Sequence, residues 1–295
     1  MKTSCPFYIL DVFAEKKYRG NQLAVIRNAA SLSRAEMQAI TREINYSETV
    51  FVLSDEKRNG GYDIRIFTPA KEIPFAGHPV LGAAYVIKEE IIGSPVERIN
   101  VNTCVGKIPV FFGCEDGVEN LWMSQQSPVF GQNLPRAELS RVLGIRVDEI
   151  DHRFPVQEVS TGLPFIIVPL VDIEVLKKVQ VDLEEYRRLI LNREAKAILV
   201  FCPVSAESYD LRVRVFADNY GVPEDPATGS GNGCLAGYLV KHQFFGKDKI
   251  NLKVGQGHEI GRPSLVLIRA EKVGEKINIG VGGNVVMVVK GELLR

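Results

Sequence analysis

The chain has no excess of either charge. Its 36 Lys and Arg balance 36 Asp and Glu over 295 residues, and no basic run or tail breaks the balance. The electrostatic footprint required for nucleic acid or an anionic membrane is therefore missing, and neither is expected as a partner. Long apolar runs are also absent. The longest are strand-length, Phe165 to Leu170 for example, against the roughly 18 residues of a membrane span. The N-terminus enters a strand pattern at Phe7–Val12 without a charged region, an apolar core and a cleavage site, so no signal peptide is expected and the cytoplasm is the default compartment. Cysteine is scarce and unpaired: positions 5, 104, 114, 202 and 234 form no CxxC, which argues against a disulfide framework or a zinc site. The four histidines are scattered, and none sits at metal-ligand spacing with another His or an acid on a helix. No metal is expected.

What is present is an ordinary globular composition, 45% hydrophobic and 24% charged, at a length suggesting about two domains. It also repeats itself. Tyr62-Asp63-Ile64-Arg65 leads through Phe75-Ala76-Gly77-His78-Pro79 into a small-residue helix containing Tyr85. Tyr209-Asp210-Leu211-Arg212 leads through Asp225-Pro226-Ala227-Thr228-Gly229-Ser230-Gly231 into a similar helix containing Tyr238. The copies lie 147 residues apart at the front (62 to 209) and 153 at the back (85 to 238), so the second carries about six extra residues before its turn. Duplication at half the chain length implies two similar lobes facing one another. Two helix N-termini at their seam would form an anion site.

The local patterns fill in each lobe. Ser33 with Glu36 is a capping box, and Met37, Ile40 and Ile44 recur at helical spacing, predicting a helix over 33–45. Pro79 suits the first turn of a helix running to about Glu89. Strands are expected at 7–13, 23–26, 62–67, 99–103, 107–112 and 120–123. The second lobe repeats the order, with strands at 156–159, 165–169, 197–201 and 209–216 and helices at 182–191 and 231–241. Strands at 249–254, 264–269, 276–280 and 283–290 close the chain. A linker is expected near 124–133, where Gln, Ser, Pro and Gly cluster. Hairpin-rich stretches argue for a mostly antiparallel α+β architecture, because a doubly wound parallel sheet needs strict strand–helix alternation.

Several residues carry chemistry. The 225–233 turn lets backbone N–H groups converge and, followed by a helix, can hold a carboxylate or phosphate with help from Ser230. It fits neither GxGxxG in register nor a P-loop. A glycine-rich helix cap is the plainer reading. His78 sits at or beside a helix N-cap, whose positive end disfavours imidazolium; it reads equally as structural. Glu48 stands where a helix hands over to a strand, and an apolar surrounding there would raise its pKa enough for proton exchange with carbon. Solvated glutamates are commoner. Asp225 precedes Pro226 and reads equally as a turn residue.

Four stretches in this order resemble the PhzF-like isomerases of phenazine biosynthesis: Gly20-Asn21-Gln22-Leu23-Ala24-Val25, Ser47-Glu48-Thr49-Val50-Phe51, Pro74-Phe75-Ala76-Gly77-His78-Pro79 and Glu224-Asp225-Pro226-Ala227-Thr228-Gly229-Ser230. The resemblance covers essentially the whole chain. It implies the α+β diaminopimelate epimerase-like fold, in which two pseudo-symmetric lobes each wrap a curved sheet around a central helix. The expected lobes are 1–125, completed by 275–295, and 126–274, with the active site in the cleft between them. It further implies a cofactor-independent isomerase acting on a small carboxylate-bearing metabolite, and a homodimer. Glu48 would be the general acid/base, with His78 and Asp225 assisting catalysis. Gly77, Gly229 and Ser230, with Gly231 beside them, would hold substrate. The related epimerases place a cysteine in each turn; the matching positions here are Ala76 and Thr228, so a two-thiol mechanism is not expected. Cys234, a turn further on, is expected to pack in the core. One-base epimerisation and a non-catalytic binding role are the alternatives.

Overall fold

The computed structural model describes residues 4–115, 117–205 and 208–294. The chain divides into two compact units, Met1–Met123 with Gly282–Arg295 and Ser124–Val281.

Unit 1 opens with β1 (Cys5–Val12) and β2 (Asn21–Ile26), an antiparallel pair. Helix α1 (Arg34–Ile44) follows and returns the chain to β3 (Thr49–Val52), which lies parallel to β2. The capping box forms as the sequence predicts: the Glu36 N–H donates to Ser33 Oγ at 3.2 Å, and the Ser33 N–H donates to Glu36 Oε2 at 2.7 Å. Next come β4 (Tyr62–Phe67), β5 (Glu72–Ile73), α2 (Gly77–Ile87), β6 (Arg98–Thr103), β7 (Gly106–Glu115) and β8 (Val118–Gln125). β4 pairs antiparallel with β3 and β5 and parallel with β6, and β6–β7–β8 run antiparallel. The C-terminal strand Val285–Leu293 pairs antiparallel with the other edge of β1.

Every residue of α2 except Tyr85 is buried. A helix apolar on all sides must be enclosed, and α2 touches β1, β2, β3, β6, β7 and the C-terminal strand. Gly82 lets it sit that close: a Cβ there would come within 2.3 Å of Leu23 Cδ2. The opposite face of the sheet is covered by α1, where Met37 packs with Ile26, Phe51 and Phe67.

Unit 2 repeats this wiring. Its elements are β9 (Val129–Leu134), α3 (Arg136–Leu143), β10 (Val156–Ser160), β11 (Pro164–Pro169), α4 (Ile173–Lys178), α5 (Leu183–Ile190), β12 (Ala197–Pro203), β13 (Leu211–Ala217), β14 (Val222–Asp225), α6 (Gly229–Lys241), β15 (Lys249–Gln256), β16 (Ser264–Val273) and β17 (Lys276–Gly283). β10 and β11 are antiparallel, β11 and β12 parallel, β12 and β13 antiparallel, and β13 and β15 parallel. The same succession links β1, β2, β3, β4 and β6. α6 takes the place of α2: nearly all of it is buried, against β10, β11, β15 and β16. A second core lies under α3, α4 and α5, built from Leu139, Ile166, Leu176, Tyr186 and Phe216 among others.

The fold is α+β as expected, with two parallel pairs in each unit, β2–β3 and β4–β6 and then β11–β12 and β13–β15, that strand-by-strand reading does not reveal. Two local expectations change. Half of the stretch expected as linker is strand β9, paired antiparallel with β10. Helices α3 and α4 were not expected. Among the described residues no helix is long and apolar enough to cross a membrane.

Candidate active site

In unit 1 the first parallel crossover sets the position of Glu48. α1 ends on Asn45 in the left-handed conformation, with its N–H bonded to the Thr41 carbonyl. The chain then turns through Ser47 and Glu48 into β3, whose first residue, Thr49, is wedged between Ala24 of β2 and Phe67 of β4. Glu48 thus sits at the end of a central, fully buried strand, and only 17% of its side chain is exposed. Burial pushes the carboxyl from its ordinary 4.5 to about 6, with a hydrogen bond from Ser47 acting in the opposite direction. Desolvation penalises the charged form, so the larger effect wins.

His78 lies across from it. Ala76 is the N-cap of α2, in extended conformation and without a side-chain cap, and the Val80 N–H reaches the Ala76 carbonyl at 3.4 Å. Gly77 and His78 therefore form the first turn, where peptide dipoles leave a positive end. The buried His78 ring brings Nε2 to 3.4 Å from Glu48 Oε2. Unit 1 thus gathers Glu48, Gly77 and His78 at one helix start, with Ser47 Oγ 3.4 Å from Asn21 Oδ1 behind them.

In unit 2 the corresponding helix start gathers Asp225, Gly229, Ser230 and Gly231. Thr228 is the N-cap of α6, again without a side-chain cap on the helix. Its hydroxyl instead donates backward to Asp225 Oδ2 at 2.5 Å. Gly229 and Gly231 are buried and Ser230 is half-buried in the first turn. Two glutamines that sequence reasoning missed hold this loop. Gln125 Nε2 donates to the Gly229 carbonyl at 2.9 Å and its Oε1 accepts from Thr161 at 2.7 Å. Gln256 is fully buried and bonds Asp225, Thr228 and Asn232. Its sequence trace is faint: a glutamine between Gly255 and Gly257 at a strand end.

Gly233 serves packing. A Cβ on Gly233 would fall 1.8 Å from Gln125 Oε1, so this glycine makes room for the amide that binds Gly229. Asn232 is fully buried and its Nδ2 donates to Gln256 Oε1 and the Thr228 carbonyl. Cys234 packs as expected, with Sγ 3.6 Å from both Thr161 Oγ1 and the Leu163 carbonyl, and burial pushes its thiol up to about 11. It is not a poised nucleophile. Ala76 and Thr228, which match the cysteines of the epimerase branch, are the two helix N-caps.

Comparison with known proteins agrees with this architecture. The model of the phenazine biosynthesis-like protein family, PhzC-PhzF, matches residues 10–291. A trans-2,3-dihydro-3-hydroxyanthranilate isomerase of Pseudomonas fluorescens is 36% identical over 98% of this chain and 99% of its own. A crystal structure of a PhzF-family phenazine biosynthesis protein from Bacillus anthracis superposes with a TM-score of 0.91 at 25% identity, covering 99% of this chain and 100% of the other. A hydroxyproline epimerase from Agrobacterium vitis shares the fold at 9% identity, with a TM-score of 0.60 over 100% of this chain and 94% of that one. The doubled topology is thus that of the diaminopimelate epimerase-like fold. The chain belongs to the phenazine biosynthesis-like PhzC-PhzF family, and it is an enzyme of the isomerase class.

Proposed function

We propose that the protein catalyses a cofactor-independent proton shift on a small carboxylate-bearing metabolite, with Glu48 as general acid/base. The observation that carries this reading is the Glu48 carboxyl, buried at a strand end and raised to about 6, with His78 Nε2 at 3.4 Å. A base poised near neutral pH both removes a proton from carbon and returns it. His78 then assists by hydrogen bonding to the acid or to the substrate. Asp225 is assigned to hydrogen-bond the substrate's polar groups and assist proton handling, and Gly77, Gly229, Ser230 and Gly231 are assigned to hold substrate, the first-turn amides stabilising charge that develops on the substrate carboxylate.

The relatives named trans-2,3-dihydro-3-hydroxyanthranilate isomerase supply the first compound to try. Incubation in deuterated water followed by NMR locates the label. Deuterium at a carbon other than the original donor marks a shift. Inversion at a single labelled centre marks the alternative, a one-base epimerisation. The proposal expects kcat/KM to fall as pH drops below about 6, where Glu48 takes up its proton. Full turnover by Glu48→Gln refutes the assignment. A homodimer is proposed with it, and light scattering at micromolar concentration decides that point.

A further inference from the structure

We propose that Gln256 and Thr228 form a one-way hydrogen-bond relay that positions Asp225 and keeps the Oδ2 face of its carboxylate a pure acceptor. This deepens, and rests on, the reading of Asp225 as a substrate-binding group.

Two backbone groups fix the Gln256 amide. The Thr228 N–H can only donate, and it points at Gln256 Oε1 at 3.2 Å. The Asp225 carbonyl can only accept, and it faces Gln256 Nε2 at 2.8 Å. The amide therefore cannot be flipped. Its second Nε2 proton is directed to Thr228 Oγ1 at 2.9 Å, and its oxygen also accepts from Asn232 Nδ2 at 2.8 Å. Thr228 Oγ1 is thus an acceptor toward Gln256 and has one proton left. That proton goes to Asp225 Oδ2 at 2.5 Å, a short bond of the charge-assisted kind.

Polarity therefore runs in one direction, from Gln256 through Thr228 to Asp225. Any proton that Asp225 carries during turnover sits on Oδ1. The Thr228 hydroxyl proton is committed to Asp225 and is not donated to substrate. Gln256 has no exposed surface and touches no reacting atom, so it is a positioning residue.

Two measurements test the relay. In the first, Gln256→Met is followed by amide hydrogen exchange. Loss of the acceptor for the Thr228 N–H is expected to speed exchange at Thr228 at least tenfold, with the rest of β15 unchanged; unchanged exchange at Thr228 overturns the wiring. This arm needs no substrate. In the second, turnover of trans-2,3-dihydro-3-hydroxyanthranilate is compared across Thr228→Ser, Thr228→Val, Gln256→Met and the Val/Met double variant. Thr228→Ser keeps the hydroxyl and is expected to stay within about threefold of wild type. Thr228→Val and Gln256→Met each lose roughly 10- to 100-fold in kcat with KM little changed, the scale of a misplaced group. The double variant is expected to be no worse than the poorer single one, because one relay is broken either way. Additive losses, or a fully active Thr228→Val beside an inactive Asp225→Asn, overturn the relay alone. A fully active Asp225→Asn overturns the role of Asp225, while the exchange result still decides the relay.

Discussion

Replacing Glu48 with glutamine should stabilise unit 1 at neutral pH while abolishing turnover. The folded carboxyl titrates near 6 against an ordinary 4.5, so the native state holds its proton more tightly than the unfolded chain does. Below 4.5 both states are protonated and the difference vanishes. Between 4.5 and 6 the unfolded state ionises first and native stability falls; above 6 the full penalty is present. One and a half units at 1.36 kcal/mol each come to about 2 kcal/mol. Glutamine removes the charge and keeps the shape, so the stability difference between variant and wild type should grow by about 2 kcal/mol from pH 4 to pH 8. Taking the difference between the two pH values cancels any constant cost of the new amide. Trp122 is the sole tryptophan, is buried and belongs to unit 1, so its fluorescence during urea unfolding reports on the unit that contains the substitution. A pH-independent difference, or one that shifts toward wild type between pH 4 and pH 8, refutes the claim that desolvation governs this carboxyl.

Three further outcomes are expected. Arg214 and Glu224 form a two-pronged pair at 2.8 and 3.0 Å with each side chain only 10% exposed; Arg214→Met should cost roughly 3–5 kcal/mol by stranding the acid, and adding Glu224→Leu should recover part of it, measured by urea unfolding. Gly233→Ala should expel the Gln125 amide and cost about 1–3 kcal/mol, with faster exchange or altered chemical shifts at Gly229 as the marker. Asp182 caps α5 by accepting from the Glu184 and Glu185 N–H groups at 2.9 and 3.0 Å; Asp182→Ala should cost about 1 kcal/mol and leave kcat unchanged.

What could be read from the sequence was mostly local. The α1 capping box, the Asp182 start of α5 and the Pro79 helix start depend on residues within one turn of each other, and the structure contains all three. The duplication was visible because Tyr-Asp-aliphatic-Arg and a small-residue helix recur in the same order. Pairing partners were not visible. Nothing in Thr49-Val50-Phe51-Val52 says that it lies parallel to β2, since a buried strand shows no alternation to assign its neighbours. Strand β9 was hidden by its composition: Gly131 and Asn133 are turn formers, held extended here by the ladder to β10. Helix α3 did carry a signal, in the spacing of Leu139, Val142 and Leu143 with Gly144 left-handed at its end. Glu48 and His78 could be named from motifs, but the 3.4 Å between them depends on the 29 intervening residues. Gln256 was harder still, because a buried amide is defined by the partners it satisfies and these lie 24 to 31 positions away.

Unit 1 is built from two stretches that flank unit 2 in sequence, and this has a consequence for biosynthesis. Residues 124–281 form one continuous stretch and can complete their hydrogen-bond ladder as soon as they leave the ribosome. β1 is translated long before Val285–Leu293 and must wait for that strand before its outer edge is covered. Until then it presents an open row of amides and carbonyls, the configuration that invites pairing with another nascent chain. Slowing translation ahead of Val285–Leu293, or deleting that strand, should therefore show up as aggregation that begins at β1.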